Sequence, residues 1–404
     1  MVNKSRLVAV LALNMAQGMP ASFFAIGLPA LLRESGATLD VVAMSYLVWT
    51  PWAFKWLWGA SIDSGRSLIG RLGQTIVWLP PLIASCFLLL LPFPPSLAVW
   101  PVFAVGITCS FLSATLQMSL SRWIVLTEND ERQRAILNSV QVAGMTAGAM
   151  TGGALVVFLA TWVTWSVAVI AISLLVAATS LPYLLTHQRA SVQRETHTTT
   201  HAVSARWPGM FAVFDRAGVG RLLVLMLFSD LATGADILLP ALLVDVGYDA
   251  STVTLLLSTL AMFIIVSSSF VTGAILHVLG ADRMLFLLLA LKAAVMMLLA
   301  TRPVEGAPFV AGLAILSMVV TAIMAIAYLQ IYMRVALPGA AASDIAILTS
   351  IRAIYLMIGA IGGGYLASRA SYAEMFWAGA LLSLAATVIV MLKPVSARRT
   401  GHVS

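Results

Sequence analysis

Five charged side chains stand inside long apolar runs of this 404-residue sequence: Lys55, Asp230, Asp236, Lys292 and Arg352. A charge at the centre of a hydrocarbon layer costs at least about 2.5–3.5 kcal/mol, so each needs a partner, a wet cavity or a task. Carboxylates and cations in such a place suit proton exchange and the binding of small charged molecules. Burial makes a carboxylate harder to ionise and a nearby cation makes it easier. A carboxylate whose partner changes can therefore take up and release a proton. Asp230 is the candidate for that work, with Arg352 or Lys55 as its counter-charge or as an anion-binding group. Asp236 follows on the same run, roughly 120° around a helix, so the two carboxylates need not share a face. Lys292 reads as an isolated lysine that packs or snorkels.

No other chemistry competes. A single histidine, His277, stands at the edge of an apolar run, and no nucleophile–base pair or carboxylate cluster accompanies it. Cys86 and Cys109 both lie in apolar runs without metal-ligand spacing. Neither an enzyme, a metal site nor a cofactor is expected.

The elements that must hold these residues follow from composition. The chain is 61% hydrophobic and 10% charged, where a soluble domain carries about 25% charged residues. Lipid must be its solvent. The net charge of +7 then belongs to loops facing the cytoplasm rather than to a nucleic-acid surface. Apolar runs near 7–32, 40–60, 73–91, 97–122, 135–157, 160–186, 219–244, 252–277, 282–300, 306–333, 345–367 and 373–392 predict twelve transmembrane helices. They are too long for barrel strands of about ten residues. Sorted by loop, seventeen Lys and Arg fall on one side, and only Arg33, Arg302 and Arg369 on the other. Both termini are therefore expected in the cytoplasm. The hydrophilic segment 187–218, with His187, His197 and His201, reads as a solvated cytoplasmic linker.

The linker sits at the midpoint of a repeat. Leu-Pro-Ala-Leu-Leu at 28–32 recurs at 239–243, an offset of 211 residues, and Gly36 is matched by Gly247. Residues 135–139 match 346–350, and Gly148, Gly152 and Gly153 match Gly359, Gly363 and Gly364, at the same offset. The expected organisation is an all-α membrane protein of two six-helix halves, 1–186 and 219–404, joined by 187–218. Two parallel halves are the arrangement of major facilitator transporters, which work by alternating access. The paired Gly-x-x-x-Gly motifs would then form close seams where the halves rock.

After the second run, Gly59-Ala-Ser-Ile-Asp63-Ser-Gly-Arg66, with Arg71 beyond, resembles the major facilitator signature Gly-x-x-x-Asp-Arg. Ser64 replaces the usual basic residue. The resemblance implies a cytoplasmic gate formed by Gly59, Asp63, Arg66 and Arg71. Gln17-Gly-Met-Pro20, Leu28-Pro29 with Leu32-Arg-Glu-Ser-Gly36, and Pro51-Trp-Ala-Phe-Lys55-Trp-Leu-Trp58 resemble one branch of that superfamily. It holds AmpG-type muropeptide permeases, acetyl-coenzyme A transporters and single-chain siderophore permeases. Length makes the chain most similar to the siderophore permeases. The resemblance implies a monomer that takes up an iron–siderophore complex with protons. A muropeptide or acyl-coenzyme A cargo, and efflux of small organic compounds, remain open. It also implies that Asn14, Gln17, Gln117, Gln141, Tyr328 and Gln330 line the cavity, with Tyr355 one turn from Arg352 on the same face.

Overall fold

The computed structural model describes residues 4–63, 72–94, 99–127, 131–185, 213–301, 306–336 and 341–392. All the described secondary structure is helical. In hydrocarbon every backbone N–H and C=O must be satisfied within the chain, and a helix does this locally. Helix α1 runs over Lys4–Glu34; α2 is a broken path, Leu39–Met44, Ser45–Trp49, Thr50–Phe54 and Trp56–Asp63. Then come α3 (Leu72–Leu88), α4 (Val99–Thr127), α5 (Glu131–Trp162) and α6 (Trp165–Ala178, with Leu181–Leu185). After the central segment follow α7 (Val219–Asp245) and α8 (Ala250–Thr254, Leu255–Leu260, Ala261–Leu279). The remaining helices are α9 (Ala281–Thr301), α10 (Ala307–Val335), α11 (Ala341–Arg369) and α12 (Tyr372–Leu392).

Ten of the described helices are long and apolar enough to cross a membrane. The expectation of twelve is thus met only in part. In the stretch expected as the second span, a 3-10 turn at Ser45–Trp49 runs into Thr50-Pro51 and divides the helix into short pieces. The stretch expected as the third ends at Leu88, and its apolar part, Gln74–Leu88, falls below spanning length. Large apolar side chains cover the outside of the helices, among them Trp162, Val278 and Leu392, each more than 70% exposed. Water would not tolerate such a surface, so the protein is a multi-pass membrane protein.

Irregular turns follow prolines, and they repeat. Pro29 has no N–H for the carbonyl of Ala25, and α1 widens into a π turn at Phe23–Gly27. Pro240 likewise releases the carbonyl of Asp236, and α7 tightens into a 3-10 turn at Ala235–Leu238. Both helices then end alike. Gly36 and Gly247 take positive φ, 88° and 106°. Ala37 N–H donates to Leu32 O and Tyr248 N–H to Leu243 O, each 2.9–3.1 Å. These are paired Schellman caps, and glycine supplies the left-handed residue that each requires.

The chain divides into two compact units. The first comprises Met1–Ser204 with Pro240–Met262, and the second Ala205–Leu239 with Phe263–Ser404. In the first, α1 packs on α5 so closely that a Cβ on Gly148 or Gly152 would lie 2.4 Å or less from Met15 O or Met19 Cα. In the second, a Cβ on Gly359 would lie 2.4 Å from Leu231 O, on α7. Gly148 and Gly152 thus join α1 to α5, and Gly359 joins α7 to α11, while a Cβ on Gly153 would lie 2.6 Å from Ser258 Oγ on α8, in the expected second half. Phe23, Phe24, Phe87 and Trp165 form an aromatic core in the first unit, with ring centroids 5.0–6.2 Å apart. The first unit also takes in the α7–α8 corner. Arg33 Nε donates to Asp245 Oδ1 at 2.7 Å, and Glu34 Oε1 accepts from Ala250 N–H at 3.2 Å, at the start of α8. The Ser22 and Ser258 hydroxyls meet at 3.1 Å, and Thr259 Oγ1 donates to Met150 O at 3.1 Å.

Candidate functional site

In the second unit α7 presents Asp230 to α11. Asp230 is fully buried, and Arg352 Nε donates to its Oδ1 at 3.1 Å. The other carboxylate oxygen, Oδ2, has no hydrogen-bond partner. A buried carboxylate with one unfilled oxygen is costly, because the low dielectric that strengthens a made bond also penalises one not made. Tyr328 on α10 completes the surroundings. Its ring lies under the Arg352 guanidinium, 5.4 Å from centre to centroid, and its hydroxyl is 2.5 Å from Ser229 Oγ, beside Asp230. Tyr332 stacks on Tyr328 at 6.1 Å, and its hydroxyl donates to Met226 Sδ at 3.6 Å. Tyr355 packs against the same core, and Gln330 is half-buried on α10. The structure thus brings together Asp230, Arg352 and Tyr328, and Arg352 rather than Lys55 supplies the counter-charge.

Asp236 belongs to a different assembly. Lys292 Nζ on α9 bonds both its oxygens, at 2.8 and 2.6 Å. The ammonium also donates to Ser317 Oγ at 2.6 Å and to Thr321 Oγ1 at 2.9 Å, both on α10. Those hydroxyls donate in turn to Asp236 Oδ1 and Oδ2, at 2.9 and 2.8 Å. Every ammonium hydrogen and both carboxylate oxygens are used. The reading of Lys292 as an isolated, snorkelling lysine is therefore wrong: it is fully buried and ion-paired. Its partner lies 56 residues away along the chain, a distance at which sequence spacing carries no signal.

In the first unit Lys55 Nζ donates to Gln117 Oε1 at 3.3 Å and lies 5.1 Å from the Trp52 ring centroid. Asn14 is turned onto its own helix, with Nδ2 donating to Val10 O at 2.8 Å. Gln17 Nε2 reaches Asn14 Oδ1 at 3.5 Å, while its Oε1 has no partner. Gln141 Nε2 on α5 is likewise without one. Of the gate residues, Gly59 is described; Arg66 and Arg71 lie outside the described residues, as does the side chain of Asp63. Among the described residues no group of three His, Cys, Asp or Glu side chains could hold a metal ion.

Sequence reasoning missed Ser317 and Thr321, which are one turn apart on α10 and look like ordinary helix-packing residues. It also missed Trp49 and Ser113, which line one cavity with Gln17. Trp49 lies two residues before the aromatic-rich motif Pro51–Trp58, and that proximity was the available signal.

No family model matches the chain. Transporter AmpG 4 of Rickettsia felis is 21% identical over 292 residues, which cover 68% of each chain. A solved structure of the peptide transporter POT in complex with sulfate superposes with a TM-score of 0.71 at 12% identity, covering 97% of this chain and 95% of the other. That of the nucleoside transporter NupG superposes with a TM-score of 0.70 at 12% identity, covering 96% and 99%. The chain therefore has the fold that these transporters share.

Proposed function

We propose that the chain is a secondary active transporter that carries a small molecule across the bacterial inner membrane by alternating access, with Asp230 and Arg352 as its exchangeable charge pair. The observation that carries this reading is the contrast between two buried ion pairs in one unit. Asp236–Lys292 is saturated and suits a fixed tie between α7, α9 and α10. Asp230–Arg352 is held by one bond and leaves a buried oxygen for a proton or a substrate donor. Proton coupling follows if Asp230 is protonated when Arg352 turns to the cargo and ionised when Arg352 returns.

The reading takes twelve crossings in two halves, 1–186 and 219–404, with both termini and 187–218 in the cytoplasm and the chain acting as a monomer. The paired caps and turns of α1 and α7 support the duplication. Gly59, Asp63, Arg66 and Arg71 are the proposed cytoplasmic gate. An iron–siderophore complex is the proposed cargo, on the resemblance within residues 14–71; the AmpG-named relative supports a muropeptide as the second reading. Deleting the gene should stop growth on a chelated iron source, and the wild-type gene but not Asp230→Asn should restore it. Normal growth of the deletion strain, with raised sensitivity to toxic compounds, would point to efflux.

A further inference from the structure

The Asp230–Arg352 pair is joined at one edge of the guanidinium only. Nε donates to Asp230 Oδ1 at 3.1 Å, and among the described residues Arg352 makes no other hydrogen bond. Nη1 and Nη2, which carry four of its five N–H groups, are left without partners. The two ends of the pair also differ in access. Asp230 is fully buried and its unfilled Oδ2 is sealed, so in this conformation it can take a proton but no larger group. Arg352 keeps 14% of its side chain open, and neither Nη is among the sealed polar atoms. Arg216 of the same unit shows a filled guanidinium. Its Nη1 donates to Asp344 Oδ2 at 2.6 Å and to Val335 O at 3.1 Å, and its Nη2 to Asp344 Oδ1 at 3.2 Å. Arg216 is 17% exposed, so exposure does not account for the difference.

The free edge has a shape and a charge. Tyr328 holds one face of the guanidinium, 5.4 Å from centre to ring centroid, which leaves the in-plane edge with Nη1 and Nη2. Two N–H groups on that edge match the two oxygens of a planar carboxylate. Water can fill the same place, and a carboxylate that displaces it returns two charge-assisted bonds for those lost. Charge then selects among oxyanions. Once Asp230 holds a proton, Arg352 has one positive charge to be matched. A carboxylate brings one negative charge, whereas a phosphate monoester brings about 1.5–2. From the open fork beside a sealed carboxylate, we infer that the cargo carries a carboxylate group, bound end-on by Nη1 and Nη2 of Arg352. The inference rests on the reading of Asp230–Arg352 as the exchangeable pair. It gives each end of the pair one task, the proton to Asp230 and the cargo's anionic group to Arg352.

Phenylglyoxal condenses with the two Nη atoms of arginine, so it reports on the fork directly. The full-length, detergent-purified protein would be treated with it, and modification at each arginine read by peptide mass spectrometry. Arg352 should react about tenfold faster than Arg216, the scale of one hydrogen bond to a charged group. Acetate, benzoate and N-acetylalanine would then be offered, each against its own amide, with inorganic phosphate alongside. At least one carboxylate should slow the reaction at Arg352 about tenfold, while its amide does not and the exposed Arg369 reacts as before. Arg352 reacting no faster than Arg216, amides protecting as well as acids, no protection by any carboxylate, or phosphate protecting better than every carboxylate would overturn the inference. Protection is read in detergent without a gradient. A carboxylate site in a chain that moves nothing, and a transporter whose cargo has no carboxylate, therefore give different results.

Discussion

Two carboxylates on α7, Asp230 and Asp236, meet opposite fates because of what α9, α10 and α11 place beside them. Asp236 shares four hydrogen bonds with Lys292, Ser317 and Thr321, whereas Asp230 has Arg352 on one oxygen and nothing on the other. Removing one partner of a buried pair strands the other charge, typically at a cost of roughly 3–5 kcal/mol. Lys292→Met should therefore lower the melting temperature markedly, and adding Asp236→Asn should recover most of the loss. Thermal unfolding of the two variants checks this, and a double variant no more stable than Lys292→Met would count against a tie. Asp249, outside the membrane, gives a pH-dependent case. Hydrogen bonds from Ser251 and Thr252 hold its carboxylate down at about 2, below its ordinary value of 3.8. A depressed carboxylate stabilises above its unfolded value and loses that contribution as pH falls towards its folded one. Asp249→Ala should cost about 1 kcal/mol at neutral pH as a lost N-cap, with the difference from wild type shrinking between about pH 4 and pH 2. Melting temperatures across that range test the sign. The intramembrane charges themselves were legible in the sequence, because a charge in an apolar run is visible at once. Their pairing was not. It depends on which helices adjoin, and Lys292 was misread for that reason.

At the scale of elements, the sequence repeat foretold more than helix positions. The offset that aligns Leu28–Leu32 with Leu239–Leu243 also aligns two proline-linked turns and two glycine caps. Of the matched glycines, Gly148 meets the α1 backbone and Gly359 the α7 backbone, each 2.4 Å from a would-be Cβ, whereas Gly363, the match of Gly152, is 3.6 Å from Met375 on α12. A side chain at Gly359 would have to displace the α7 backbone at Leu231. Gly359→Leu should thus lower stability and yield, while Gly362→Leu, where a Cβ meets nothing within 4 Å, should not. Thermal unfolding of both variants decides it. The corner that joins α7 to α8 is held differently. Arg33 and Asp245 remain a quarter or more exposed, and an ion pair so placed contributes only about 0.2–1 kcal/mol. Its effect should lie in which conformation is populated. Arg33→Ala should leave the melting temperature almost unchanged, yet speed maleimide labelling of Ser258→Cys in a background without Cys86 and Cys109. Unchanged labelling would relegate the pair to packing. The breaks in α2 escaped sequence reading, since an apolar run fixes length and burial but not the turn type inside it.

For the molecule as a whole, composition already demanded lipid: 61% hydrophobic residues leave no polar surface large enough for water. The fold shared with solved transporters explains how so few charges suffice. Loops take most of them, and in the second unit Asp236–Lys292 forms a closed pair and Asp230–Arg352 an open one. The central claim is that the open pair couples a gradient to cargo. Uptake of labelled iron chelates, anhydro-muropeptides and acyl-coenzyme A into vesicles, with an imposed pH gradient, tests it most directly. The wild-type protein should concentrate one of them when the gradient is applied, and Asp230→Asn, inserted in equal amount, should lower that accumulation at least tenfold. Gradient-driven accumulation by Asp230→Asn at the wild-type level would contradict the account.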